Sequence, residues 1–421
     1  MGDGVGIKLD ILKELYLSLG VLCVRVVFVS SYPPTHCGIA EYTRMLIASL
    51  KSISRDVEVY VIADTGSGNK PWHDSFAGAY VYPVFARGGS KLHGVLDVLS
   101  EIGGADILHV QHDYSLYGYG DQILRLTVRA REEGLAKKIV FTIHTVHHPY
   151  TDEKETIEFQ RKLNTCDVII VHSHLQEFEL RNQGIIPYRI ERIPHGTLLN
   201  PYLGYPRRRL LEDLGLSEEK IHGPITVIPG FLKRDKGLDI LLESLRILRM
   251  GKKDLTVIVA GEVWDKRVLE YLEGIDRLVN FIFWERYLDS NEILELNALA
   301  DIILLPYRSV KFYSVSGMLH LSMGSLKPII GTRVPKLIEL YQHAPKLTVS
   351  PDNPQALARI LRWVVKNYDI VVPYMSFLYS YAVRTQWHRM AQRHLNLYMR
   401  LLKKKVKVKS ITPPRTLTPT E

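Results

Sequence analysis

Histidines and lysines that follow short apolar runs carry most of the potential chemistry in this sequence. The run VRVVFVS leads into SYPPTHCGIAEYT, where Pro33 and Pro34 stiffen a loop and Gly38 lets backbone approach a ligand just before a helix. A helix N-terminus offers unpaired N–H groups and the positive end of a dipole to a phosphate or sugar oxygen. A plain tight turn would show the same residues. The spacing is not G-x-G-x-x-G, so a dinucleotide site is not indicated.

Imidazoles crowd the same edge. His109 and His112 close LHVQH, with Asp113 next; His144 closes FTIH, with His147 and His148 beyond; His172 and His174 follow IIV, and His195 follows RIP. Eleven of the 16 histidines precede residue 201. His112, Asp113 and His195 are expected to line a shared cleft. His-x2-His and His-x-His spacings raise a metal site, but no helical His-x3-His and no local cysteine cluster supports one, and none is expected.

The later half holds cations instead. In PGFLKRDKGLD, Lys233, Arg234 and Lys236 stand before Gly237. Cations there can neutralise a departing diphosphate, although an exposed basic helix start looks alike. In LLPYRSVKFYSVSGMLHLSMGSLKPIIGT, Ser316 and Gly317 precede a predicted helix, and Arg308 and Lys311 add charge. No acid occurs from Ile302 through Ile338, and Glu339 is the next. Such a stretch suits an anionic ligand, or a buried strand and helix.

What positions these residues is a βαβ rhythm. Strand-like runs fall at Val24–Ser30, Val57–Ala63, Asp106–Gln111, Lys138–Ile143, Asp167–Val171 and Arg189–Pro194. Most are too apolar to be half-exposed, so they read as buried parallel strands. Helical stretches intervene at Ile39–Leu50, Tyr119–Gly134, Thr156–Asn164 and Leu175–Asn182. A second series follows at Ile225–Pro229, Leu255–Ala260, Leu278–Phe283, Asp301–Leu305, Pro328–Gly331 and Lys346–Val349, with helices such as Leu238–Leu248 and Asn291–Ala300. In parallel α/β sheets ligands bind beyond the carboxyl ends of the strands, where the histidines and lysines stand. The fold class is α/β, with two Rossmann-like doubly wound parallel-sheet domains facing a cleft.

A chain of 421 residues exceeds what one core usually supports. The expected division is a leader at 1–22, read as an amphipathic helix or a ragged start; an N-terminal Rossmann-like domain at 23–200; a Pro-, Gly- and charge-rich linker at 201–222; and a C-terminal Rossmann-like domain at 223–380. A helix follows at 381–402, its apolar face running from Val383 through Trp387 to Leu402, and 403–421 form a basic tail.

No apolar stretch reaches the length of a membrane span, and the first residues lack a signal-peptide pattern. Three scattered cysteines fit a reducing compartment, so a cytoplasmic location is expected. A net charge of +9 favours anionic partners. Lysines clustered from Lys403 to Lys409 suggest weak attachment to anionic membrane surfaces; a solvated tail is the plainer reading. Nucleic acid ranks last, because the basic residues form no stripe with stacking aromatics.

Together, SSYPPTHCGIAEYT, FTIHTVHHP, IPHG, PGFLKRDKGLDILLESL, ADIILLPYRS and SGMLHLSMGSLKPIIGT, followed by Glu339 and Leu340, resemble the retaining glycosyltransferases of family 4 over about residues 24–400. The resemblance implies a GT-B fold, a nucleotide-sugar donor in the second half and a glycan, lipid-linked or small-molecule acceptor in the first. It implies no cofactor and no bound metal, an acceptor domain at 23–200, a donor domain at 223–380, and a C-terminal helix at 381–402 that crosses back to the first domain. Gly38 matches the glycine loop near the donor phosphates, His144 the histidine beside the reacting sugar, and Lys236 the lysine on the diphosphate. Ser316, Gly317 and Met318 match the backbone stretch that meets donor phosphate and sugar.

Two departures stand out. Phe231 occupies the place of a customary arginine, for which Arg234 is the nearest substitute. The family's Glu-x7-Glu pair, one acid for the donor sugar and one for the ribose, falls on Ser314 and Ser322 when anchored on Gly317. Anchored on Pro328 it falls on Tyr313 and Leu321. The reading is a metal-independent transferase acting with retention. The rivals are a catalytically silent sugar- or nucleotide-binding partner of an active transferase, and a phosphorylase or epimerase on the same fold.

Overall fold

The computed structural model describes residues 23–89, 92–151 and 154–403. The expected leader helix and the lysine-rich tail beyond Lys403 lie outside the described residues.

The first sheet has eight strands: β1 (Val24–Ser30), β2 (Val57–Asp64), β3 (Trp72–Asp74), β4 (Ala79–Phe85), β5 (Ala105–His112), β6 (Ala136–Ile143), β8 (Val168–Val171) and β9 (Ile190–Arg192), in the order β3-β4-β2-β1-β5-β6-β8-β9. All neighbours pair in parallel except the edge strand β3. Strand alternation divides the core. Val27 and Val29 face one buried cluster, while Val26 and Phe28 face another on the opposite side.

The second sheet has six parallel strands, β10 (Ile225–Pro229), β11 (Thr256–Ala260), β12 (Asn280–Trp284), β13 (Ile302–Leu305), β15 (Ile329–Thr332) and β16 (Thr348–Val349), in the order β12-β11-β10-β13-β15-β16. Two short strands, β7 (Val146–His147) and β14 (Phe312–Tyr313), pair antiparallel and tie the two sheets' domains together.

The segment read as a linker is partly structured. Arg207–Asp213 is helical, and Leu210 and Leu211 sit in the second domain's core.

The C-terminal stretch differs more. Instead of one helix from Val383 there are two, Tyr368–Arg384 and Trp387–Leu401. The first adds Val371, Met375, Leu378 and Ala382 to the second domain's core. The second adds Trp387, Met390, Ala391, Leu395 and Tyr398 to the first domain's core, an i, i+3/i+4 stripe. The break has a local cause. Thr197 donates its N–H to the Thr385 carbonyl at 2.9 Å and accepts from the Trp387 N–H at 3.2 Å, so the crossing strand takes bonds a continuous helix would use. Trp387 packs where any side chain on Gly196 would stand, so only glycine fits there.

Candidate active site

A cavity of about 280 Å³ lies between the domains. Its walls come from the carboxyl ends of β10, β11, β12, β13 and β15 on one side. On the other are the helix Gly38–Ile53, the segment after β9, and Trp387.

Lysines dominate the second-domain wall. Lys233 and Lys236 follow β10, and Lys336 follows β15. Lys236 Nζ donates to the Tyr307 hydroxyl at 3.0 Å and lies 4.5 Å from that ring's centre; Lys336 Nζ lies 5.6 Å from the same centre. Lys336 also pairs with Asp235 at 3.2 Å. Burial lowers the Lys233 pKa, Asp235 works against that, and Lys336 and Lys236 reinforce it. Burial also opposes the charge of Asp235, but Lys336 and Lys236 outweigh it and hold the carboxyl below its usual range. Gly237 turns the chain into the next helix with φ +68 and backs so closely onto the Pro306 carbonyl that a side chain would collide.

Imidazoles dominate the first-domain side. His195 lines the cavity, its ring centre 4.5 Å from His320, 5.0 Å from Tyr42 and 5.4 Å from Trp387. His195 Nδ1 lies 2.7 Å from the Gly196 carbonyl. A carbonyl only accepts, so the neutral ring carries its proton on Nδ1 and leaves Nε2 with a lone pair. Burial, then the neighbouring His320, lowers its pKa well below the ordinary value.

Of the residues singled out in the sequence, Gly38, Lys236, Ser316, Gly317, Met318 and His195 line this cavity. Gly38 begins its helix with open space over its Cα. The Ser316 N–H is already given to the Lys336 carbonyl at 3.0 Å, and the Ser316 hydroxyl accepts from Leu319.

His144 is not in the lining. It is half-buried, with Nε2 3.0 Å from Gln111 Oε1 and its ring 5.0 Å from Tyr42, which does line the cavity. Arg234 is exposed and outside the lining.

His112 and Asp113 take structural positions rather than the cleft-lining ones expected. His112 is fully buried, stacked on Phe159 at 4.2 Å. Asp113 accepts from Ser115 N at 2.9 Å and Thr145 Oγ1 at 2.7 Å, capping the turn Tyr114–Tyr117.

The structure also separates the two placements of the missing acids. Leu321 lines the cavity, whereas Ser322 is buried, donating to the Met318 carbonyl and accepting from Asn297. Neither Tyr313 nor Ser314 lines it. Phe231, at the arginine position, does, with its ring 4.5 Å from Trp264. Glu339 is buried and its pKa is pushed up to about 7 by burial.

Sequence reasoning did not select Lys336, Tyr307, Tyr42, Glu41 or Tyr287, all of which line the cavity. Three contacts close it across the cleft. His36 pairs with Glu262 at 3.0 Å and stacks on Tyr287 at 4.1 Å, and the Tyr287 hydroxyl donates to Glu41 at 3.2 Å.

Two parallel-sheet domains with a shared cleft at their strand ends define the GT-B architecture, and solved structures share it. A glycosyltransferase from Rickettsia africae superposes with a TM-score of 0.69 at 15% identity, covering 91% of this chain and 100% of that one. Anabaena HepE in complex with UDP and glucose gives 0.67 at 14%, covering 89% and 99%. The catalytic domain of Arabidopsis starch synthase IV bound to ADP and acarbose gives 0.63 at 14%, covering 91% and 100%. No curated protein matches the chain in sequence. Residues 37–199 match the family model Glycosyltransferase Family 4, and residues 223–367 match Glycosyl transferases group 1. The chain belongs to this family of glycosyltransferases.

Proposed function

We propose that the protein moves a sugar from a nucleotide-diphosphate donor to an acceptor hydroxyl, with retention and without a bound metal. Charge is the observation that carries this reading. Lys233, Lys236 and Lys336 share the second-domain wall with Asp235 and Glu262, so three cations there face two carboxylates and the balance is positive by one, the sign that the ionised phosphates of a nucleotide sugar require. That HepE holds UDP and starch synthase IV holds ADP supports the same donor class.

As the C1–O bond to phosphate breaks, negative charge grows on the leaving diphosphate. Fixed ammonium groups stabilise that state more than the ground state. The carboxylates in the lining are engaged: Glu41 by Tyr287, Glu262 by His36 and Asp235 by Lys336. This favours a front-face route over a covalent glycosyl-enzyme. The acceptor oxygen bonds to C1 on the face the phosphate leaves, and its proton passes to a phosphate oxygen. His195, neutral with a lone pair on Nε2, would orient a sugar hydroxyl.

Calorimetric titration with nucleoside diphosphates in chelator tests donor binding, and NMR of the transfer product reads the anomer. Binding without metal and a retained anomer are expected. An inverted product would refute the mechanism.

A further inference from the structure

Tyr307 stands at the centre of the lysine wall. Two ammonium groups meet its ring, Lys236 Nζ at 4.5 Å and Lys336 Nζ at 5.6 Å from the centre. Like charges repel, and the negative face of an aromatic ring offsets that repulsion without carrying a formal charge. The side chain is only 3% exposed, yet it borders the cavity. Its backbone is fixed on both sides. The Tyr307 N–H donates to the Leu305 carbonyl at 2.9 Å, and its own carbonyl accepts from Thr332 Oγ1 at 2.6 Å. The next residue, Arg308, is anchored by Asp239 and Asp352. The ring is therefore in place before any ligand arrives.

The hydroxyl extends the hub. An ammonium only donates, so Tyr307 Oη accepts from Lys236 at 3.0 Å. It also lies 3.3 Å from Ser316 Oγ, which accepts from the Leu319 N–H at 3.2 Å. Two hydroxyls bring two hydrogens, and the bond between them uses one. Whichever way that bond runs, the other hydrogen points away from the pair, and both residues border the cavity. Two ammonium groups and one hydroxyl hydrogen thus gather around one ring. All of them donate, and the oxygens of an ionised phosphate accept.

This hub lies at the end of the wall nearest the histidines. A Cβ on Gly317, the residue after Ser316, would stand 3.7 Å from His195 Nε2, and His320 Nδ1 lies 2.9 Å from the Ser316 carbonyl. A sugar held between the two faces of the cleft is attached through the nearest phosphate, the terminal one of the diphosphate.

Resting on the nucleotide-diphosphate donor proposed above, we infer that Tyr307 is a positioning residue for the terminal phosphate, the one that departs from the sugar's C1. Its ring holds Lys236 and Lys336 side by side. Its hydroxyl orients Lys236 and keeps one hydroxyl hydrogen, its own or that of Ser316, toward the phosphate.

The test is calorimetric titration of the intact protein in chelator. UDP, ADP and GDP identify the best-binding base, and its diphosphate is then compared with its monophosphate. Tyr307→Phe keeps the ring and removes the hydroxyl. Its thermal midpoint should stay close to that of the unaltered protein, and the diphosphate should bind about tenfold more weakly. The monophosphate should be nearly unaffected, so the affinity ratio of the two nucleotides shrinks by about the same factor. Tyr307→Leu, which also removes the ring, should cost the diphosphate at least about threefold more; if it does not fold, Tyr307→Phe decides alone. Equal losses for both nucleotides would reduce Tyr307 to a packing role and overturn the inference, leaving the donor reading intact. An unchanged diphosphate affinity in folded Tyr307→Phe would overturn it as well. If the unaltered protein binds no diphosphate, the donor reading itself falls, and the inference with it.

Discussion

The two faces of the cleft solve opposite electrostatic problems. On the second domain, Lys236 and Lys336 gather on Tyr307 and Lys233 lies over Trp264, with Asp235 as the partner carboxylate of Lys336. On the first, His144, His172 and His195 surround Tyr42 at 5.0–5.2 Å between ring centres, and burial keeps all three imidazoles neutral. One face offers fixed charge, which the proposed transfer would set against a leaving phosphate. The other presents one neutral ring, His195, to the cavity, with His144 and His172 packed behind it. Burial does both jobs: it strengthens a charge that has partners and strips one that lacks them.

The largest effect expected comes from acid, which attacks the buried histidines of both domains. His112, His172, His320 and His394 are pushed down to about 4 by burial, against about 6.5 in an unfolded chain. Between those values the unfolded state binds more protons. Stability therefore falls as pH drops from about 6.5 toward 4, by up to about 1.4 kcal/mol per pKa unit for each ring. Glu339 acts in the opposite sense. Its pKa of about 7 means that the folded state keeps a proton the unfolded state releases, so its contribution declines as pH rises through neutrality. Four rings outweigh one acid. Thermal midpoints should fall steeply from pH 6.5 to 5, and a flat profile would mean the rings titrate normally.

On the lysine face, Lys236→Ala should cut kcat by about 10²–10³-fold, the usual cost of losing one transition-state donor. Circular dichroism and the melting profile should be unchanged. Undiminished turnover with an identified donor would remove Lys236 from the mechanism.

His195→Ala should cost about tenfold in kcat/KM, one hydrogen bond's worth. The loss should be flat from pH 6 to 8, because this imidazole stays neutral throughout. A loss that grows with acidity would make it a titrating base. The smallest effect is expected from chelation: activity should not change, and a loss restored by divalent metal would count against the lysine wall as the sole diphosphate partner.

Much of the fold was legible. The central strands are uninterrupted β-branched runs, and β1 and β10 coincide with the runs read from sequence. Strand β4 escaped because Pro83 interrupts AYVYPVF, and β7 and β14 are two residues each, too short for any period. The cavity's lysines were half visible. Lys236 shows through its motif, but Lys336 is a hundred residues away and reaches Tyr307 only through the order of β10, β13 and β15. Histidine clustering was real, yet periodicity cannot say which rings face a cleft. His109 donates or accepts at 2.6 Å from the Tyr398 hydroxyl, fastening the last helix rather than meeting a ligand.

That last helix has a consequence for synthesis. Trp387–Leu401 supplies one side of the cluster that holds Val26, Phe28, Tyr42 and Leu46. Domains ordinarily fold in turn as they leave the ribosome, but here the first domain's inner face stays open until nearly the whole chain has been made. The nascent protein must therefore carry a large apolar surface through the synthesis of its entire second domain. A chain ended before Trp387 should be released with that surface exposed and recovered in aggregates or bound to chaperones.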